Sequence, residues 1–526
     1  MSTFAGEEAA ANNNAVSGIN RRVTLPPIAI VAPTMRRSAP QGNRAVCPAL
    51  PPSGRHAMVA AMTDTPSVKR LAAATGAWRS APDDAAARTR LAVQLWRRPD
   101  LADASHLPAI ASMVRDPGID PAQFERAGWV AIGPALPDPA DPQAAALWLD
   151  RHDLAIALVE VTQVADAAAE RLLSAVRRWL LLERQAAAFP RLAAALLRQA
   201  AINGGAWPFD AEERAALATT PDFLAAYLPE PPDAGDTDFA APVTRAVAAQ
   251  YGRWPYPVWQ RANAITLRSL AATLRACGPD APLLPERPDI LVAGCGTGRE
   301  AMMLSRMAPE ARVTAIELSE TSLAVARARC AGQPNLRFLR HDLHAVAELG
   351  RRFDHIVCSG VLHHLPDPEA GWAALVGVLA PGGTMQVALY SRIARLQVTA
   401  ARMRLGTLMR QPVSDDLIRE ARRRLITAPL PSVTDSRDFF STAGVHDLLF
   451  HVHEDCFDVP RIERAIDALG LKLLRFGLPT PEDEARYREM APHDPQHRDV
   501  AAWNAYEIRN PSTFAGMYRI TLARAS

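Results

Sequence analysis

Apolar residues change their spacing along this chain near residue 250. From about 64 to 245 they recur at intervals of three and four. In "HDLAIALVEVTQVADAAAERLLSAVRRWLLLERQ" (152–185), Leu and Val alternate in this way with Arg and Glu. The pattern predicts amphipathic helices, bounded by Pro-rich breaks such as "ALPDPADPQ" (135–143) and "LPEPPDAGDT" (228–237). No fixed internal period stands out, so the stretch does not read as a repeat array. Beyond 288 short apolar runs alternate with helical stretches. Strands are predicted at "DILVAGCG" (289–296), "RVTAIELS" (312–319), "LRFLRHDLHAV" (336–346, with its loop), "FDHIVCSGVLHHL" (353–365) and "PGGTMQVALYS" (381–391). Helices are predicted at 297–308, 320–331 and 367–380. Such alternation implies βαβ units and a parallel sheet covered by helices. Residues 393–470 interrupt it with basic helical stretches such as "DDLIREARRRLI" (415–426), read as a cap inserted over the site. "LKLLRFGL" (471–478) and "GMYRITLARA" (516–525) then complete the sheet, the last as an antiparallel edge.

Composition narrows the class. At 526 residues the chain is too long for one core, and 49% hydrophobic with 22% charged residues describes a soluble globular protein. A net charge of +2 gives no electrostatic case for nucleic acid. No window approaches the roughly 18 apolar residues of a membrane span. Six cysteines without a C-x-x-C pair fit reduced thiols and a cytoplasmic location. Residues 9–63 hold six arginines, no acid and many Pro, Asn, Ser and Ala. We expect a disordered tail over 1–63, with Met58 or Met62 as the translation start; an import sequence is the other reading.

The candidate chemistry begins where the first strand ends. Gly294, Gly296 and Gly298 form G-x-G-x-G at the carboxyl end of that strand, where open α/β sheets bind ligands. Glu317, 19 residues beyond the last of these glycines, ends the second strand, where a carboxylate can accept both hydroxyls of a ribose. Asp342 follows the third strand and can accept from an adenine amine, with the Leu343 amide beside it. Ser359 and Gly360 stand at the mouth of the fourth. Upstream, "QYGRWPYPVW" (250–259) packs four aromatics and two prolines into ten residues, a stiff segment that reads as a domain clamp or a stacking surface.

Over roughly 287–392 these motifs resemble class I S-adenosylmethionine-dependent methyltransferases, through "VAGCGTGRE", the acid of "AIELS", the "HDL" turn, "FDHIVCSGVLHHLPDP" and "LAPGGTM". The resemblance implies a Rossmann-like, doubly wound seven-stranded α/β sheet that binds S-adenosylmethionine. It also implies that Gly294, Cys295, Gly296 and Gly298 face the methionine part, Glu317 and Leu318 the ribose, Asp342 and Leu343 the adenine, and Ser359 and Gly360 the cleft. The flanks, including "DFFSTAGVHDLLFHVHED" (438–455) and "NPSTFAGMY" (510–518), resemble a narrower bacterial group annotated with tetratricopeptide-type N-termini. The expected organisation is an all-α N-terminal domain (64–245), an aromatic and proline linker (246–265), the cofactor-binding core (266–392), a helical cap (393–470) and the final strands (471–526).

A sulfonium activates its methyl group for in-line attack, so positioning dominates and a base matters only for an acceptor with a proton to lose. His363, His364 and Tyr390 are the base candidates, although "LHHLPDP" also serves as a helix start. Tyr251, Trp254, Tyr256, Trp259, His451 and Glu454 are candidates for the acceptor pocket. The H-x-H-E run at 451–454 lacks a matching further ligand, so no metal is expected. The expected function is methyl transfer to an acceptor not identified by sequence, without nucleic acid or membrane, a protein partner being conceivable through the helical domain. The alternatives are a non-catalytic module that holds cofactor or partner, and a nicotinamide oxidoreductase, which G-x-G-x-G and the acid after strand three disfavour.

Overall fold

In the computed structural model, residues 66–229, 241–262 and 268–524 are described. The expected tail over 1–63, part of the "LPEPPDAGDT" break and residues 263–267 lie outside them. Seven strands form one sheet: β1 (Asp289–Ala293), β2 (Arg312–Glu317), β3 (Leu336–Arg340), β4 (Phe353–Ser359), β5 (Leu379–Leu389), β6 (Leu471–Gly477) and β7 (Tyr518–Arg524). Their order is β3-β2-β1-β4-β5-β7-β6, a Rossmann-like, doubly wound sheet. β1 pairs in parallel with β2 (Ile290 opposite Val313) and with β4 (Leu291 opposite Ile356). Both of its faces are covered, which is why "ILVA" is continuously apolar rather than alternating. The chain reverses its winding between β1 and β4, so their carboxyl ends open the crevice where such sheets take ligands.

One point differs from expectation. β7 is antiparallel but is not the edge; it lies between β5 (Met385 opposite Leu522) and β6 (Leu473 opposite Leu522). Burial explains the order: Tyr518, Ile520, Leu522 and Ala523 are all buried, whereas β6 carries the exposed Lys472 and so suits the rim.

The cap between β5 and β6 holds helices Leu396–Leu405, Asp415–Thr427, Pro431–Thr434 and Thr442–Leu449, closed around Ile418, Leu425, Phe439, Phe440 and Leu449. The next helix, Val459–Ala468, packs Ile462 and Ile466 against the sheet core with Trp372 and Trp503, so the cap ends before Val459 rather than at 470. From Pro66 to Tyr227 the described residues form only α- and 3-10 helices, packed around Leu91, Ile110, Met113, Trp129, Ile156, Leu172 and Val176. The stretch 152–185 is not one helix but two, Asp153–Val161 and Ala167–Leu182. Asp166 caps the second through the amides of Ala168 and Ala169.

The basic residues of the cap are partly interior. Arg419 donates to the carbonyls of Gly205 and Tyr227, and Arg422 to the carbonyl of Ala206 and to Glu170. They fasten the cap to the N-terminal helices. Among the described residues, no helix is long and apolar enough to cross a membrane.

Because β7 is interior, removing residues 518–526 should prevent folding, read as loss of the cooperative thermal transition by circular dichroism. An edge strand could be removed with the transition retained.

Candidate active site

The three glycines take left-handed backbone, with φ of +72° at Gly294, +52° at Gly296 and +87° at Gly298. What a side chain would strike differs from expectation. A Cβ on Gly294 would lie 2.4 Å from Val361 Cγ2, one on Gly296 2.3 Å from the Tyr256 carbonyl oxygen, and one on Gly298 2.8 Å from the Ala326 Cβ. The missing side chains therefore admit the protein's own neighbours at close range. Gly298 does not line the crevice; it lets helix Arg299–Met307 approach helix Glu320–Arg329.

Two anchors fix this loop. The Gly294 and Cys295 amides both donate to the Ile316 carbonyl, tying β1 to β2. Glu317 then reaches across: its Oε2 accepts from the Gly296 amide at 3.0 Å, and its Oε1 from the amides of Leu318 (2.9 Å) and Ser319 (3.1 Å). Burial pushes the Glu317 carboxyl up, and the three amides oppose that rise. Of the roughly four lone-pair sites of a carboxylate, three are taken. The two-hydroxyl grip expected from sequence thus shrinks, in this arrangement, to one free site on Oε2. Trp259 braces the loop from behind, its Nε1 donating to the Thr297 carbonyl and hydroxyl, and so lies in the packing rather than in an acceptor pocket.

A cavity of about 620 Å³ opens at this point, within the range of small-molecule sites. It is lined by Gly294, Cys295, Gly296, Glu317, Leu318, Asp342, Leu343, Ser359 and Gly360, so every cofactor residue expected from sequence except Gly298 faces it. Asp342 Oδ1 accepts from the His344 ring and from the His344 amide; chiefly the ring, with the amide, holds its carboxyl below the usual range, so it stays ionised. Glu300, not foreseen, also lines the wall, and burial pushes its carboxyl up against the opposing charges of Arg519 and Arg299.

The same cavity is also lined by an acid and phenols. Asp447, nearly fully buried, accepts from the Tyr251 hydroxyl at 2.8 Å and the Tyr390 hydroxyl at 3.1 Å. Behind it, Asp438 accepts from the Tyr256 hydroxyl at 3.0 Å. Among the described residues neither acid has an ion-pair partner. Burial pushes both carboxyls up, Asp438 to about 6. The cap supplies the two acids and the segment 251–256 two of the three phenols. Trp254 instead donates to Asp415 and stacks on His446, which clamps the segment to the cap.

Hydrogen bonding assigns the histidines. His364 lines the cavity, and its Nδ1 faces the His453 carbonyl at 2.8 Å, so Nδ1 carries the proton and Nε2 is left as the acceptor. Burial lowers its pKa to about 4 and keeps it neutral. His363 is fully buried, accepts the Tyr390 amide at Nδ1, and does not reach the cavity. His451 accepts the His453 amide at Nδ1 and therefore turns a protonated Nε2 to the Tyr251 oxygen. Donor atoms of His364, Asp447 and His451 lie within 4.8 Å of one another. His451 and Asp447 share the Tyr251 hydroxyl, and His364 stacks on the His451 ring, so the His451 nitrogen nearest this group carries a proton rather than a free lone pair. Glu454 is absent from the cavity wall: it pairs with Arg395 and Arg402, which hold its carboxyl down at about 2 against the upward push of burial.

A model of the methyltransferase domain matches residues 290–383. An uncharacterised protein of Synechococcus sp. is 35% identical over 212 residues, covering 38% of this chain and 51% of that protein. A trans-aconitate 2-methyltransferase of Deinococcus radiodurans is 37% identical over 107 residues, covering 20% of this chain and 40% of that enzyme. Residues 290–383 form a class I S-adenosylmethionine-dependent methyltransferase domain. Among solved structures, PKMT2 from Rickettsia typhi in complex with AdoHcy is 18% identical with a TM-score of 0.38, covering 49% of this chain and 53% of that one. The chain spans about half or less of the length of the curated relatives just given.

The methyltransferase domain fits its cofactor on its own features: a cavity that Gly294 and Gly296 line, a strand-end acid with a free acceptor site, and an ionised Asp342. Sequence reasoning missed Asp438 and Asp447. Both stand in the quoted run 438–455, where the histidines drew attention; the usable signal was an acid beside apolar and aromatic residues rather than on a charged face.

Glu317→Ala should weaken S-adenosylhomocysteine binding by about 1.5–3 kcal/mol and also lower the melting temperature, because the same carboxylate holds the Gly296 amide. Calorimetry with a thermal melt checks both; unchanged affinity removes Glu317 from the site. Gly296→Ala should be at least as damaging, having both a left-handed φ and the Tyr256 carbonyl in its way.

Proposed function

We propose that this protein transfers a methyl group from S-adenosylmethionine to an amine that enters the cavity at Asp447. The observation that supports this is one cavity lined both by the residues expected to hold the cofactor and by Asp447, a buried acid bound by two phenols and in no ion pair among the described residues, on which Arg395 acts only from a distance. A buried carboxylate without a direct ion pair is costly, and an incoming ammonium offsets that cost. Tyr251, Tyr390 and Asp447 orient its N–H groups, and the His364 Nε2 offers a neutral acceptor on the same wall.

When bound, S-adenosylmethionine supplies a methyl group on a sulfonium leaving centre. The chain's part is to hold the nitrogen in line, exclude water and take up the proton that the nitrogen sheds. Free amine and protein lysine share this chemistry, and the N-terminal helices make a protein acceptor a reasonable arm of the test.

Transfer of labelled methyl should be screened against small amines and lysine-bearing proteins, with hydroxyl-bearing and carboxylate acceptors in parallel. Methylated amine is expected, and at least a tenfold loss of kcat/KM in Asp447→Asn (about 1.4 kcal/mol). Transfer only to oxygen would overturn the amine reading.

The pH profile gives a second check. The Asp438 carboxyl rises from its ordinary 3.8 to about 6 on folding, so its contribution to stability is full below 3.8 and is lost as pH rises through about 6. Its negative charge, and with it the attraction for an ammonium, appears over the same window. Amine kcat/KM should therefore climb through about pH 6, and Asp438→Asn should flatten that limb.

A further inference from the structure

The acid Asp438 sits in a backbone held on one side by the N-terminal helical region and on the other by a cap arginine that this region fixes. The carbonyl before it, on Arg437, accepts from Gln163 Nε2 at 2.7 Å. The carbonyl after it, on Phe439, accepts from Arg422 Nε at 2.6 Å. Arg422 is itself fixed by two groups of the N-terminal region, the Glu170 carboxylate and the Ala206 carbonyl, each at 2.7 Å, and its side chain is fully buried. Gln163 lies in the break between helices Asp153–Val161 and Ala167–Leu182. That break is stitched by Gln199, which donates to the Val159 and Thr162 carbonyls and accepts from the Val164 amide, and by Glu125, which accepts from the Ala165 amide.

Asp438 in turn holds the Tyr256 hydroxyl, and Tyr256 turns its carbonyl to the Thr297 amide, against Gly296. A continuous set of contacts thus runs from the N-terminal helices through Asp438 and Tyr256 to the glycine loop. Close packing alone would not call for donors on two neighbouring carbonyls that flank one acid, one of them a buried, ion-paired guanidinium.

We infer that Gln163 and Arg422 are positioning residues for the part of the cavity around Asp447, setting Asp438 on Tyr256, and that the N-terminal helices brace the active site from behind its lining. The inference rests on reading that part of the cavity as the acceptor site.

The test uses the full chain labelled with 3-fluorotyrosine. It has seven tyrosines, and Tyr256→Phe assigns one fluorine resonance. Gln163→Met keeps the volume and removes the donor; Arg422→Lys keeps the charge and removes the fork. Each should move the Tyr256 line while those of Tyr487 and Tyr506, which belong to the sheet core, stay in place. S-adenosylhomocysteine affinity should stay within about twofold of wild type, and amine KM should rise about tenfold. An unmoved Tyr256 line in Gln163→Met overturns the inference, as does displacement of all seven lines together, which marks general loosening. If Arg422→Lys does not fold, Gln163→Met decides alone. If the wild type binds no S-adenosylhomocysteine or methylates no amine, the proposed function fails, while the Tyr256 line still decides this inference.

Discussion

The site depends on one carboxylate binding three backbone amides. Glu317 leaves the tip of β2 and takes the amides of Gly296, Leu318 and Ser319, joining the loop after β1 to the turn after β2. Without it those amides would face a water-poor crevice unsatisfied, and the left-handed path of the loop would lose its fixed end. The acid is thus part of the frame before any ligand arrives. Its burial raises its pKa while the amides act to keep it charged, so charge and loop geometry are maintained together.

From that frame the cavity is assembled from distant parts of the chain. The strand tips bring the cofactor-facing residues, the segment around Tyr251 and Tyr256 brings phenols, and the cap brings Asp438 and Asp447. Tyr256 joins all three, with its carbonyl on the loop and its hydroxyl on the cap. The histidines near the cavity have their pKa values lowered by burial, so they stay neutral beside the carboxylates and phenols that line it.

The first five strands were legible because βαβ units write a strong pattern: "ILVA" followed by glycine, an acid ending the next strand, and a repeat of that spacing. The strand-tip positions that line the cavity followed from the same logic. Side-chain roles off the strands were harder to read. Trp254 and Trp259 looked like pocket aromatics, yet their indole nitrogens find Asp415 and Thr297 in the packing. Glu454 looked available, yet two arginines from helix Leu396–Leu405 and its start claim it. The place of β7 was also hidden, because local sequence marks a strand's direction and burial only weakly. Asp438 and Asp447 become visible only when the cap folds over the crevice, since nothing nearby in sequence pairs with them.

The interior place of β7 has a consequence for the timing of assembly. β5 and β6 are both made before their shared neighbour, so each emerges from the ribosome with a bare row of hydrogen-bonding groups. The cap must be translated in that interval, hanging from a half-finished sheet. Arg519, Ile520 and Thr521 of β7 line the crevice, so it acquires its final shape only once that strand slots in, and the domain gains from whatever shields β5 until then.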